Sequence, residues 1–155
     1  MSRKIAVDQV PGARGSGYPS PFDEPCLQRL RRRLGDAAGL SQFGVNLLVL
    51  PAGAWSSQRH WHTVEDEFVY VLEGEVVLVT DAGEEVLSAG DCAGFPAGVR
   101  DGHHLQNRSA QAATVLEIGA RRIADDEAFY PDIDLHALKG DNGYAHRDGR
   151  PYPRK

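Results

Sequence analysis

Between residues 43 and 119 the chain repeats one pattern, in which short runs rich in Val, Leu, Phe and Tyr are separated by Gly, Pro, Asp or Asn. The breaks recur at intervals of about 8–12 residues, which is typical of sandwiches and small barrels built from short strands. No stretch in this region has the length and apolar spacing of an amphipathic helix, so we expect an all-β fold. The predicted strands cover residues 43–50, 67–72, 75–80, 84–87, 92–95, 103–107 and 112–118.

Two of these breaks have the residue types of tight turns. Asp81-Ala82-Gly83 separates VVLVT from EEVL, and Gly83 can adopt the positive φ that a hairpin loop requires. In Pro96-Ala97-Gly98, proline fixes φ at the first central position and glycine follows. Both segments therefore predict antiparallel connections.

The two ends of the chain lack the pattern. Residues 1–21 are rich in Pro and Gly and predict an irregular N-terminal arm. Residues 24–35 suit either a short helix or a strand, and we favour a strand that turns at Gly35-Asp36. After the core at about 40–120, a C-terminal extension over 121–155 is expected to pack on the outside of the β domain.

Length and charge limit the function classes. A chain of 155 residues fits one compact domain, so we expect a single domain over residues 1–155 rather than an enzyme with a separate cofactor-binding half. The net charge of −5 argues against a general nucleic-acid binder or a basic membrane-surface protein. The arginine cluster at residues 29–33 is accordingly interpreted as a solvated strand face.

The cysteines and the N-terminus indicate a cytoplasmic protein. Cys26 and Cys92 are far apart and show no CxxC spacing, so neither a disulfide framework nor a cysteine zinc site is predicted. We expect Cys92 to be a small buried side chain in its strand. The start of the chain lacks the apolar stretch of a signal peptide, and the longest apolar run, residues 68–72, is far shorter than the roughly 20 residues of a membrane span.

Four of the six histidines lie in one 45-residue window, and two of them form the sequence HWH. In a strand, His60 and His62 project to the same face, which makes half of a metal site. Glu67 would lie on the opposite face of one continuous strand, so we predict a break at residues 63–66 that returns Glu67 beside the imidazoles. Glu65 and Asp66 are the fallback ligands.

Together these residues resemble the first motif of the cupin superfamily, which reads G, five or six residues, HxH, three or four residues, E, six residues, G. Here it is Gly53-AWSSQR-His60-Trp61-His62-TVED-Glu67-FVYVLE-Gly74. The second cupin motif, G, five residues, PxG, two residues, H, three residues, N, is similar to Gly90-DCAGF-Pro96-Ala97-Gly98-VRDG-His103-HLQ-Asn107, except that the second spacer has four residues.

The resemblance implies an antiparallel jelly roll, the double-stranded β-helix barrel of cupins, with a divalent metal inside one end. The implied ligands are His60, His62, Glu67 and His103. His103 is favoured over His104 because it keeps the three-residue spacing to Asn107. Imidazole and carboxylate ligands suit Fe, Mn, Ni, Co, Cu or Zn, so the donor set does not select one metal. Asn107 is interpreted either as support beside the site or as a turn cap.

The wider sequence resembles a bacterial group of small cupins that are often labelled sugar-phosphate isomerases. We therefore expect a metal-dependent enzyme that acts on a small oxygenated molecule, by dioxygen insertion, isomerisation or decarboxylation. The alternative is a non-catalytic binding module or sensor for a sugar or small acid. The exposed barrel edges and the N-terminal arm favour a homodimer.

Four further side chains lie near the motifs or in the tail. Arg100 and Arg108 flank the third imidazole and are candidates for holding an anionic substrate, against the alternative of ordinary surface arginines. His136 and His146 are expected to have no chemical role, although His146 would reach a pocket if the tail folded over it.

Overall fold

The structure, a computed structural model, describes residues 4–155. Short 3-10 helices span Val7–Gln9 and Glu24–Cys26, and one helical turn, α1, spans Leu34–Ala37. The strands within the described residues are β1 Gly12–Arg14, β2 Leu30–Arg33, β3 Phe43–Leu50, β4 Trp61–His62, β5 Glu67–Glu73, β6 Glu75–Thr80, β7 Gly83–Ser88, β8 Cys92–Phe95, β9 His104–Gln106, β10 Ala113–Ala120, β11 Ala128–Tyr130, β12 Leu135–Ala137 and β13 Tyr144–Ala145.

Two antiparallel sheets face each other and enclose the main core. One has the strand order β1-β2-β3-β10-β5-β8 and the other β7-β6-β9. The apolar side chains between them come from both sheets and include Leu48, Val71, Val76, Leu105 and Val115. This arrangement is the antiparallel jelly-roll barrel that the resemblance to cupins implied.

Strand register decides which side chains line the barrel. On the large sheet Leu48, Val115 and Val71 are paired across β3, β10 and β5, and all three are buried. Because side chains alternate along a strand, the neighbouring positions of these strands face outward. The outer face consequently exposes large apolar side chains, at Phe43, Phe68, Tyr70 and Leu72.

The predicted strands agree closely with those observed. β3 matches the predicted run 43–50, and the ambiguous segment before it contains strand β2, as favoured. The chain turns after β2 through α1, where a Cβ on Gly35 would lie 2.8 Å from the backbone nitrogen of Val45. The turn therefore requires a glycine.

The C-terminal extension forms a third sheet, with the order β13-β12-β11-β4. It packs on the N-terminal arm and on the 3-10 helix Glu24–Cys26 through a second apolar cluster that contains Tyr18, Cys26, Tyr130 and Leu135. This sheet matters for function because β4 carries His62 and is paired with β11 through Ala128.

One packing prediction is wrong. Cys92 is exposed, whereas Cys26 is buried. On β8 the side chains of Ala93 and Phe95 pack against the core, so alternation turns Cys92 outward. In the described part of the chain, no helix has the length and apolar character needed to cross a membrane.

Candidate metal centre

Three imidazoles surround the carboxylate of Glu67 at one end of the barrel. The Nε2 atoms of His60, His62 and His103 lie 3.4, 3.5 and 2.8 Å from its Oε2 atom. His60 and His103 face each other in an isolated antiparallel bridge, with backbone N–H donors to each other's carbonyl oxygens at 3.1 and 2.9 Å. The structure thus brings together all four side chains that the sequence singled out.

The predicted break between His62 and Glu67 is present at residues 63–66, between β4 and β5. It is fixed by Asp126, whose Oδ1 accepts hydrogen bonds from the backbone nitrogens of Val64 and Glu65 at 2.9 and 3.3 Å. Thr63 Oγ1 donates to the same oxygen at 3.2 Å. This anchored turn lets Glu67 begin the next strand beside the imidazoles.

Hydrogen bonds at the second ring nitrogens orient two of the imidazoles. Nδ1 of His60 donates to the carbonyl oxygen of Gln58 at 2.8 Å, and Nδ1 of His62 donates to Asp126 Oδ2 at 2.5 Å. In the neutral imidazole the remaining nitrogen, Nε2, is then an acceptor. In their neutral forms the two rings therefore direct acceptors at the carboxylate oxygen of Glu67, an arrangement that a cation between them would stabilise.

His103 is held by stacking rather than by a second hydrogen bond. Its ring lies parallel to Phe95, with centroids 3.6 Å apart and an interplanar angle of 2°. Its Nδ1 atom is buried and has no hydrogen-bond partner among the described residues.

The pKa shifts of Glu67 and His103 suit a cation, because they favour a carboxylate anion and a neutral imidazole. Burial raises the pKa of Glu67, but the charge of His60 and hydrogen bonds from His103 and His60 outweigh it and hold this pKa well below its ordinary value. Burial lowers the pKa of His103. Burial also lowers the pKa of His62, but the hydrogen bond to Asp126 and the charge of Glu67 have the larger combined effect, and the pKa is raised.

The donor set fits a divalent metal. Ligand atoms of His60, His62 and Glu67 lie within 4.8 Å of one another. A second such group joins His62 to Glu65 and Asp126, which brings the fallback ligand Glu65 to the edge of the site. Asp66 instead turns away and accepts a hydrogen bond from the backbone nitrogen of Ala97 at 2.7 Å.

His104 and Asn107 serve the fold rather than this cluster. Nδ1 of His104 donates to the carbonyl oxygen of Ser57 at 2.9 Å, and the ring meets Trp55 edge to face. Burial lowers the pKa of His104 to about 4. The Asn107 amide donates to the carbonyl oxygens of Leu50 and Gln111, so it ties a loop to the barrel.

A cavity of about 280 Å³ opens beside the imidazoles. Gly44 on β3, Gly119 on β10 and Glu67 on β5 form one row of paired residues across the sheet. Two of the three positions in this row have no side chain. In the next row Asn46 pairs with Glu117, and both line the cavity. The wall opposite the imidazoles is therefore polar.

The interpretation of residues 29–33 as a solvated strand face is wrong for two of its arginines. Arg29 is only 6 % exposed, and Arg31 lines the cavity. Arg31 binds both carboxylate oxygens of Glu117, at 2.9 and 3.1 Å. The physical reason is alternation, since Arg31 and Arg33 occupy the inward positions of β2 beside Leu48 and Asn46.

The arginines proposed from the sequence lie elsewhere. Arg108 pairs with Glu84 on the exterior, at 2.7 and 2.8 Å. The guanidinium of Arg100 lies 5.7 Å from the centre of the Trp61 ring. Neither arginine lines the cavity.

The tail histidines are also apart from the cavity. His136 stacks on Phe129, with centroids 4.3 Å apart. His146 bonds Asp134 at 2.7 Å and stacks on Tyr152. Sequence reasoning missed Asp126 and Phe95 as partners of the imidazoles, and no local pattern marks either of them.

Comparison with known proteins agrees with this geometry. A family model described as a cupin domain matches residues 46–119. The crystal structure of a sugar phosphate isomerase of the cupin superfamily from Silicibacter pomeroyi is 44 % identical, with a TM-score of 0.91 and coverage of 97 % of each chain. A search of curated proteins found no match.

Two more distant structures share the fold. A proposed sugar phosphate isomerase from Acidithiobacillus ferrooxidans is 24 % identical, with a TM-score of 0.79 and coverage of 98 % of this chain and 97 % of that one. The polyketide cyclase RemF from Streptomyces resistomycificus is 22 % identical, with a TM-score of 0.60 and coverage of 77 % and 80 %.

Proposed function

Because this chain belongs to the cupin superfamily, we propose that it is a metal-dependent enzyme that converts a small oxygenated molecule inside the barrel. The proposed ligands of the divalent metal are His60, His62, Glu67 and His103. The observation that carries the proposal is the convergence of three imidazole Nε2 atoms on one carboxylate oxygen of Glu67.

Isomerisation is the reaction that we favour among the three expected from the sequence. It is supported by the name of the Silicibacter protein, which is 44 % identical over nearly the whole chain. The polar wall formed by Asn46, Arg31 and Glu117 also suits a hydroxylated substrate. A bound divalent metal would polarise a carbonyl or hydroxyl oxygen of that substrate.

The chain's own residues would bind and orient the substrate. Asn46 can donate to one hydroxyl and accept from another. Glu117 is fixed by its two hydrogen bonds with Arg31, so it presents a positioned carboxylate to the cavity. Phe95 packs over His103 and shields that face of the ring from water.

The alternative is a non-catalytic binding module for a sugar or small acid. The same Arg31–Glu117 pair favours it, because both oxygens of this carboxylate are held by hydrogen bonds with Arg31 and are suited to positioning a ligand. A binding module needs only this positioned carboxylate, whereas an enzyme also needs a group that transfers a proton.

Elemental analysis tests the metal centre first. Protein purified anaerobically without a metal-affinity tag should contain about one metal ion per chain, and His60→Ala or His62→Ala should lower that content at least about tenfold. His136→Ala is the control and should keep the metal. Unchanged metal in the first two variants would contradict the assignment.

Turnover then separates the two functions. The metal-loaded protein should interconvert aldose and ketose forms of a phosphorylated sugar, observed by NMR. Binding of the sugar without any conversion would favour the binding module.

We also propose that the protein forms a homodimer and resides in the cytoplasm. The dimer is supported by the apolar side chains exposed on the outer face of the large sheet, since contiguous exposed apolar patches mark interaction sites. The location is supported by two free cysteines.

A further inference from the structure

The end of the cavity away from the imidazoles carries more guanidinium groups than carboxylates. Arg31 is paired with Glu117 through both oxygens. Arg121 is hydrogen-bonded to Asp36 Oδ1. Arg33 lies 3.8 Å from the other oxygen of Asp36, and 69 % of its side chain is exposed. Three guanidinium groups thus share two carboxylates, and Arg33 makes the longest of these contacts.

Arg33 faces the cavity because of its place in the sheet. One row of paired residues crosses the sheet from β2 to β5. It consists of Arg33, Asn46, Glu117 and Val69. All four line the cavity. Three strand spacings of about 4.8 Å therefore place the Arg33 backbone about 14 Å across the sheet from β5, the strand that carries Glu67.

The cavity between these ends is small. Its volume of about 280 Å³ lies just below the range of about 300–1,000 Å³ that is common for ligand pockets. A compact ligand of a few carbon atoms would contact the imidazole cluster at one end and Arg33 at the other. Between them it would meet the Asn46 amide and the Glu117 carboxylate.

We infer that Arg33 recognises the anionic end of the substrate, a phosphate or carboxylate group, while the oxygenated end lies at the imidazole cluster. The inference rests on the proposed function and names its substrate class as a small polyhydroxy anion. A guanidinium group matches the geometry of either anion and can form two parallel hydrogen bonds with it. Arg31 and Arg121 add positive charge behind Arg33, although each is already paired.

Calorimetric titration of the protein as purified tests this inference. The probes are ribose 5-phosphate, ribonate and ribose, which share a carbon skeleton and differ in the terminal group. We expect at least one of the two anions to bind more tightly than ribose. The stronger of the two identifies phosphate or carboxylate as the recognised group.

The variant Arg33→Gln should lower affinity for that anion by about tenfold or more and leave ribose binding unchanged, because a charge-assisted hydrogen bond is lost. Arg108→Gln is the matched control, since it removes an arginine that is paired outside the cavity. It should change affinity by less than about twofold.

Equal binding of all three probes, or equal effects of Arg33→Gln and Arg108→Gln, would overturn the inference. Metal content is measured in every sample and should be the same in Arg33→Gln as in wild type. A metal-free wild-type protein that still prefers the anion through Arg33 would refute the proposed function alone. Loss of metal in Arg33→Gln would refute the anion role, since the arginine would then act through the fold.

Discussion

The histidines of this chain differ in what their second ring nitrogen contacts. His60 and His62 donate Nδ1–H to Gln58 and Asp126, which leaves Nε2 directed at Glu67. His104 donates Nδ1–H to Ser57, and its Nε2 faces the side chain of Gln106 at 3.0 Å. A histidine is therefore a candidate metal ligand only where the orientation of its ring directs a nitrogen at the site.

Separate alanine substitutions at His103 and His104 should have different effects. His103→Ala should lower metal content at least about tenfold, because it removes the imidazole nearest to Glu67. His104→Ala should retain the metal but lose about 2 kcal/mol of stability, because its buried ring packs on Trp55. Metal per chain and thermal unfolding measure the two effects. Metal loss in His104→Ala alone would show that His103 is not the ligand.

The sequence located His60, His62 and Glu67 because their spacing is local, whereas His103 was located through its resemblance to the second cupin motif. His60 and His62 share a face through alternation, and a short break accounts for Glu67. Asp126 could not be found in this way, since it lies 64 residues from His62 and in an acidic stretch that resembles solvated surface. Contacts of that kind depend on how the extension packs, which local periodicity does not encode.

Among the secondary-structure elements, the turn between β4 and β5 depends most on a distant part of the chain. The Asp126 carboxylate binds the turn backbone and the His62 ring at once. Strand periodicity predicted the barrel strands, but β11, β12 and β13 are only two or three residues long and show no such period. They are strands because β11 pairs with β4, β12 pairs with β11, and β13 pairs with β12.

Asp126→Asn tests whether this contact supports the centre. The amide keeps the size of the side chain and can still accept from the turn, but it loses the charge that fixes the His62 ring, so metal affinity should fall about tenfold or more. Asp125→Asn is the control, because Asp125 is exposed and pairs only with Arg122 in the same turn. Competition with a chelating dye measures affinity. Similar losses in both variants would contradict a specific role for Asp126.

At the scale of the whole molecule, the two faces of the large sheet divide the tasks. The inner face supplies the core and the cavity, whereas the outer face exposes Phe43, Phe68, Tyr70 and Leu72. Alternation predicts two such faces, but only the packing of the sheets shows which face is covered. We therefore expect the metal and the substrate to bind on the inner face of these strands and the partner subunit to bind on their outer face.

Light scattering coupled to size-exclusion chromatography should give twice the chain mass for the wild type. Tyr70→Lys should yield the monomer, because a charge would then be buried in the proposed interface. Val86→Lys is the control, since Val86 is 60 % exposed on the small sheet. A monomeric wild type, or dissociation in both variants, would contradict the proposed interface.

The hydrogen bond between His62 and Asp126 also sets the order in which the centre can be completed during synthesis. The motif that supplies the imidazoles leaves the ribosome well before Asp126 and the strands β12 and β13 that pair behind it. A nascent chain consequently exposes His62 before it can orient this ring. Metal selection would then occur on the released, fully folded protein rather than on the growing polypeptide.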